Sequence, residues 1–150
     1  MNNAIASILE NGKGGVWFVP GLEARSAQAA AKKAGFTYFH IDGKSIERKE
    51  QFMNAVATAL RLPKSFGLNW DALEECLTDL EGDGDGFLIC FDHIDGLLNA
   101  HPDQFETLVE ILRDAVESWK EDGTPMVVVL SGAKPPKGVG KLKEAKAAED

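Results

Sequence analysis

No stretch of this sequence approaches the ~18 consecutive apolar residues that a membrane span requires. Only two cysteines, one tyrosine and three histidines occur in its 150 residues. Cys76 and Cys90 are spaced for neither a redox CxxC pair nor a zinc site. Each falls in an apolar context, and buried free thiols in a reducing compartment account for them. The start, Met1-Asn2-Asn3-Ala4-Ile5, has no basic segment leading into an apolar run, so a cytoplasmic protein without a signal peptide is expected. Cations are scarce where acids are dense. Between Asp71 and Asp122, sixteen Asp and Glu face only Arg113 and Lys120, a net of −14 in a chain whose total is −8. Such a field repels nucleic acid and anionic membranes and attracts basic partners, although acidity also serves plain solubility.

Familiar chemical motifs are missing too. Gly12-Lys13-Gly14-Gly15 precedes an expected strand, where a phosphate loop follows one, and it lacks the Gly-Lys-Ser/Thr ending. Asp83-Gly84-Asp85-Gly86 starts like a calcium loop, but Phe87 to Phe91 is apolar and Ile94 stands where the last acidic ligand belongs. His93 lies just past an expected strand between Asp92 and Asp95, where α/β active sites gather. No nucleophile elbow and no i, i+4 histidine pair accompanies it, so it is taken as a loop histidine. No catalytic residue, metal or cofactor is expected.

What is present is a folding pattern. Apolar residues make up 44% of the chain, enough for one globular domain with a sizeable core. Gly15–Val19, Phe36–Ile41, Phe87–Phe91 and Met126–Leu130 are near-continuous apolar runs, the mark of strands buried on both faces. Helical patterns cover about Ala4–Glu10, Glu23–Ala34, Ile46–Leu60, Trp70–Leu80 and Pro102–Lys120. The first strand, helix and second strand suggest a βαβ unit. The expected class is α/β, a small, mainly parallel sheet of about four strands covered by helices. Residues 132–150, rich in Lys, Pro and Gly, are expected to be a flexible tail.

The helix beginning at Trp70 has two clean faces. Leu73, Cys76, Leu77 and Leu80 fall at i, i+3, i+4 and i+7, one apolar stripe. Asp71, Glu74, Glu75 and Thr78 have the same spacing, displaced by about half a turn at roughly 100° per residue. One face suits a core and the other is a row of carboxylates. Asn69 is placed to cap the helix, and Asp71 in its first turn suits the positive end of the dipole. Trp17, Trp70 and Trp119 all lie in apolar contexts, with Trp70 beside the acidic face.

Leu62-Pro63 followed by Phe66-Gly67-x-Asn69-x-Asp71-Ala72-Leu73-x-x-Cys76-Leu77-Thr78 resembles the loop and helix of the barstar family, intracellular inhibitors of ribonucleases. The resemblance runs from about Thr37 to Ser131, through Ile41-Asp42-Gly43-Lys44-Ser45-Ile46, Arg113-Asp114-Ala115 and Val127-Val128-Val129-Leu130-Ser131. It implies a barstar-like domain over 1–131, of which 1–35 is an added helix and βα unit. It further implies a basic ribonuclease as protein partner, its active site plugged by the loop and helix with a carboxylate standing in for an RNA phosphate. Glu75 matches that central position, one methylene longer than the family's residue. Asn69, Asp71 and Thr78 match further binding positions, Asp114 a peripheral one, and Ser65, Phe66, Gly67, Trp70, Glu74 and Asp79 complete the expected surface. Ser65 and Glu74 replace family aromatics, as does Leu80, so the complementary surface differs. The alternative is an immunity or regulatory module for a partner that is not a ribonuclease. A monomer is favoured.

Overall fold

The apolar runs become four strands: Gly15–Phe18 (β1), Phe36–Asp42 (β2), Gly86–Asp92 (β3) and Met126–Leu130 (β4). In this computed structural model, which describes residues 3–63, 66–82 and 84–142, they form one parallel sheet in the order β1-β4-β3-β2. Every residue of β3 and β4 is buried, which is why those two runs carry no polar alternation until Asp92. β1 and β2 are parallel but not neighbours, contrary to a simple βαβ pairing. The crossover between them passes over the places that β4 and β3 fill later in the chain.

Helices cover both faces. Asn3–Asn11 (α1) and Ala24–Ala34 (α2) pack Ile5, Leu9, Ala27 and Ala31 against Leu88, Cys90, Val127 and Val129. Lys49–Ala59 (α3), Trp70–Thr78 (α4), Asp95–Ala100 (α5) and Pro102–Glu121 (α6) share the opposite face with Phe39, Ile41, Phe87, Ile89, Phe91, Val128 and Leu130. The strict alternation along each strand assigns neighbouring residues to different cores. α5, a helix of only 6 residues, has no periodic signal long enough to be seen in the sequence. Ile46 precedes α3 rather than opening it, held in the turn after β2 by Ile46 N–H to Gly43 O at 3.0 Å.

Local chemistry explains the helix ends. Gly35 terminates α2 at φ 80, the left-handed conformation that glycine adopts freely. Gln51 Oε1 accepts from the backbone N–H groups of Glu47 and Arg48 at 2.8 and 3.1 Å and so fixes the start of α3. At its end, Leu62 N–H reaches Ala57 O at 2.9 Å and Arg61 N–H reaches Thr58 O at 3.3 Å. That is a Schellman closure with Arg61, at φ 55, in the place glycine usually takes.

The unit before β2 extends the sheet at the β4 edge and supplies the whole second helical layer. The expectation of a flexible tail from residue 132 meets a different arrangement as far as Leu142. Val139 is buried, Lys141 bridges to Phe18, and Phe18 exchanges backbone hydrogen bonds with Gly140 (2.9 Å) and Leu142 (2.8 Å). The Arg113 side chain also donates to Gly138 O. Backbone pairing needs no apolar side chains, so a polar segment satisfies the free edge of β1. Residues 143–150 lie outside the described residues. Among the described residues no helix is long and apolar enough to cross a membrane.

Candidate functional site

α4 is anchored through its apolar stripe. Leu73 and Leu77 are buried, and Trp119 on α6 donates its indole N–H to Leu77 O at 2.8 Å, tying α6 to the last turn of α4. Trp70 packs against the core, its ring 6.2 Å from that of Phe52, which in turn lies 5.3 Å from Phe91. The ammonium of Lys49 sits 6.0 Å from the Trp70 ring centroid. Asn69 caps the helix as expected: its Oδ1 accepts from Ala72 N–H at 2.8 Å. Its Nδ2 donates back to Gly67 O at 3.2 Å, so one side chain fixes both the loop and the helix start.

The expected surface residues divide by exposure. Gly67, Asn69, Asp71, Glu75, Thr78 and Asp79 are exposed, while Phe66, Trp70 and Glu74 are half-buried. Thr78 Oγ1 donates to Glu75 O at 3.0 Å, and Asp114 stands exposed on α6, the helix against which α4 packs. Ser65 lies outside the described residues. Cys76 is half-buried rather than buried, and Leu80 falls just past the helix, in the core. Glu75 and Asp79 line an open groove of about 730 Å³, with Thr37 and Phe39 of β2, Leu60 and Arg61 on its other walls. The Cys76 thiol, also in that wall, has its pKa raised by burial and then by the charges of Glu75 and Asp79. Both effects disfavour the thiolate, the reactive form of cysteine.

One residue of this surface escaped the sequence analysis. Leu68 is 42% exposed, the one large apolar side chain so presented among the described residues. Its φ of 52 places it in the left-handed region, which a branched side chain seldom adopts. The signal was there as an apolar residue between Gly67 and Asn69, but loop apolars are common enough to pass unnoticed.

A second cluster sits at the carboxyl ends of β2 and β3. His93, at φ 51, places Nδ1 3.1 Å from Asp92 Oδ1 and 3.3 Å from Asp42 Oδ1. His40 Nε2 holds the other Asp92 oxygen at 2.9 Å. Asp95 is not part of this group; its Oδ1 accepts from Ala133 N–H at 2.9 Å. The Asp42 carboxyl is held below its ordinary pKa, chiefly by the backbone N–H of Lys44; burial opposes this as the next largest effect, and His93 and His40 add smaller lowering contributions. Sequence alone joins Asp92 to His93, whereas Asp42 arrives through strand register.

Residues 36–131, more than half of the chain, match the family described as Barstar (barnase inhibitor). The comparison with curated proteins found no match. Among solved structures, the ORC2 protein of Aeropyrum pernix, determined as ADPNP–ADP complexes, is similar with a TM-score of 0.58 at 16% identity. The similarity covers 97% of this chain and 41% of that one, and at such identity it concerns the fold alone.

Proposed function

Because the chain belongs to the barstar family, we propose that it is a protein inhibitor that plugs the basic active site of a ribonuclease with its Phe66–Asp79 loop and helix. The observation that carries this reading is the row of carboxylates on α4 within the family-matched segment, anchored from beneath by Leu73, Leu77 and Trp119. A rigid acidic face is what a cleft built for phosphates accepts without paying much ordering entropy. Glu75 is the central group, entering a phosphate subsite. Asp71, Asp79 and Asp114 form the charged rim, Thr78 and Asn69 add hydrogen bonds, and Glu74 flanks them. Phe66, Leu68 and Trp70 supply apolar contact beside Gly67. Occlusion needs no bond making and no cofactor. Rim charges steer a cationic enzyme onto the face and should lose that effect as salt rises.

Glu74 is the observation that keeps a second reading in play. A half-buried carboxylate where the family often has an aromatic anchor changes the shape and polarity of the face. That suits a basic partner different from barnase, including a toxin that does not cleave RNA.

The test is a competitive RNA-cleavage assay. The protein and its Glu75→Ala variant are titrated against barnase and several small basic microbial ribonucleases. Stoichiometric inhibition by the wild type, weakened about tenfold or more (over 1.4 kcal/mol) in the variant, is the expected result. Absence of inhibition across all the enzymes would sink the ribonuclease assignment and favour the second reading.

A further inference from the structure

The cluster at the ends of β2 and β3 is separate from the α4 surface and belongs to the sheet face that α1 and α2 cover. Asp42 and Asp92 are register partners on adjacent parallel strands, so their side chains leave the sheet side by side. The turn after β2 is pressed onto the end of β3. A Cβ on Gly43 would lie 2.5 Å from Asp92 O and 2.6 Å from His93 O, so glycine is needed there. At the same point the chain carries His93 through the left-handed region, an uncommon conformation for a non-glycine residue. Both devices bring three donor atoms together.

We propose that Asp42, Asp92 and His93 bind a divalent transition-metal cation of the zinc class. Metal–ligand bonds of about 2.0–2.2 Å at tetrahedral angles set ligand atoms roughly 3.3–3.6 Å apart. The His93 nitrogen lies 3.1 and 3.3 Å from the two carboxylate oxygens, and all three atoms fall within 4.8 Å of one another. Nδ1 of a neutral imidazole offers either one proton or one lone pair. In the tautomer protonated at Nε2, three acceptor atoms lie together with no proton between them, an arrangement that a cation satisfies. His40 completes the design from outside: by holding Asp92 Oδ2 it aims Oδ1 at the site, the role outer partners play around metals. Two carboxylates and one imidazole suit zinc, and equally manganese, cobalt or nickel, better than they suit calcium or magnesium. The side chains of His93 and Asp42 are 58% and 59% exposed, leaving room for a fourth ligand from water or from another molecule.

The experiment uses the full chain, stripped with a chelator and titrated with Zn²⁺ and separately with Co²⁺. One saturable equivalent, a rise in melting temperature with Zn²⁺ and visible d–d absorption with Co²⁺ are expected. Asp42→Asn and His93→Gly should each weaken binding by at least tenfold, while His101→Ala, at the exposed start of α6, leaves it unchanged. His93→Gly relieves the positive φ, so its metal-free melting temperature should match or exceed that of the wild type. Loss of the zinc response in that variant therefore cannot be assigned to unfolding. The proposal is overturned by absence of saturable binding to the wild type, which would leave His93 as an imidazole lodged between two aspartates. It is equally overturned by binding that survives both substitutions.

Discussion

Replacing Leu68 by glycine and by alanine separates what its backbone costs from what its side chain contributes. Both variants lose the same contacts beyond Cβ, so their difference reports on the φ of 52. The left-handed conformation costs an L-residue roughly 1–2 kcal/mol, whereas glycine gives up about 0.5–1 kcal/mol more than alanine through its freedom in the unfolded chain. Leu68→Gly should therefore be more stable than Leu68→Ala by about 0.5–1 kcal/mol, the reverse of the order found inside a helix. With a urea m-value of about 2 kcal/mol/M, the midpoints should differ by roughly 0.25–0.5 M. Binding behaves differently. Burying a whole leucine is worth about 1.5–3 kcal/mol, and this residue, 42% exposed, leaves about that share for a partner to cover. The loss on binding is then about 0.6–1.3 kcal/mol, or roughly three- to ninefold in Kd, and should be alike in the two variants. Urea titrations at neutral pH and inhibition titrations against whichever ribonuclease the wild type blocks give both numbers. An alanine variant as stable as the glycine variant would refute the backbone argument. Unchanged inhibition in both would refute the apolar contact.

Asn69→Ala should destabilise the fold by about 1 kcal/mol through loss of the cap on Ala72 N–H, and Asn69→Asp should restore most of that because aspartate caps as well; urea midpoints of the two variants distinguish this from a role confined to Gly67 O. Stability should fall in alkali. Burial, and then the charge of Asp92, raises Cys90 from 9.0 to about 12 in the folded state. A group whose folded pKa is raised contributes stability that is complete below its unfolded pKa and is lost as pH climbs towards the folded value. One such group removes about 1.4 kcal/mol by pH 10. Urea titrations at pH 7 and 10 should show a smaller drop for Cys90→Ala than for the wild type, and equal drops would assign the effect elsewhere.

The strands were legible because burial on both faces leaves uninterrupted apolar runs such as Phe87–Phe91, and the α4 surface was legible because its residues are contiguous in sequence. Asn69, Asp71 and Glu75 needed only helical periodicity and the family resemblance to be placed. What stayed hidden depends on contacts made at a distance. The place of β1 beside β4, the turn of Asp42 towards His93, and the edge pairing of residues 140–142 are set by tertiary neighbours rather than by local pattern. α5 was missed because 6 residues are too few to display a period.

The sheet order has a kinetic consequence. β1 precedes the other strands and its partner β4 is the last strand among the described residues: Gly15 pairs with Val127. During synthesis β1 has no strand to pair with until almost the whole domain has emerged, and α1 and α2 meanwhile have only β2, β3 and each other to cover their apolar sides. Closing so long a loop is slow but adds little equilibrium cost, since the entropy grows only with the logarithm of loop length. A chain cut short before Met126 would leave β1 without its seat in the sheet and α1 and α2 without Val127 and Val129 beneath them, exposing the opening unit to chaperones and proteases.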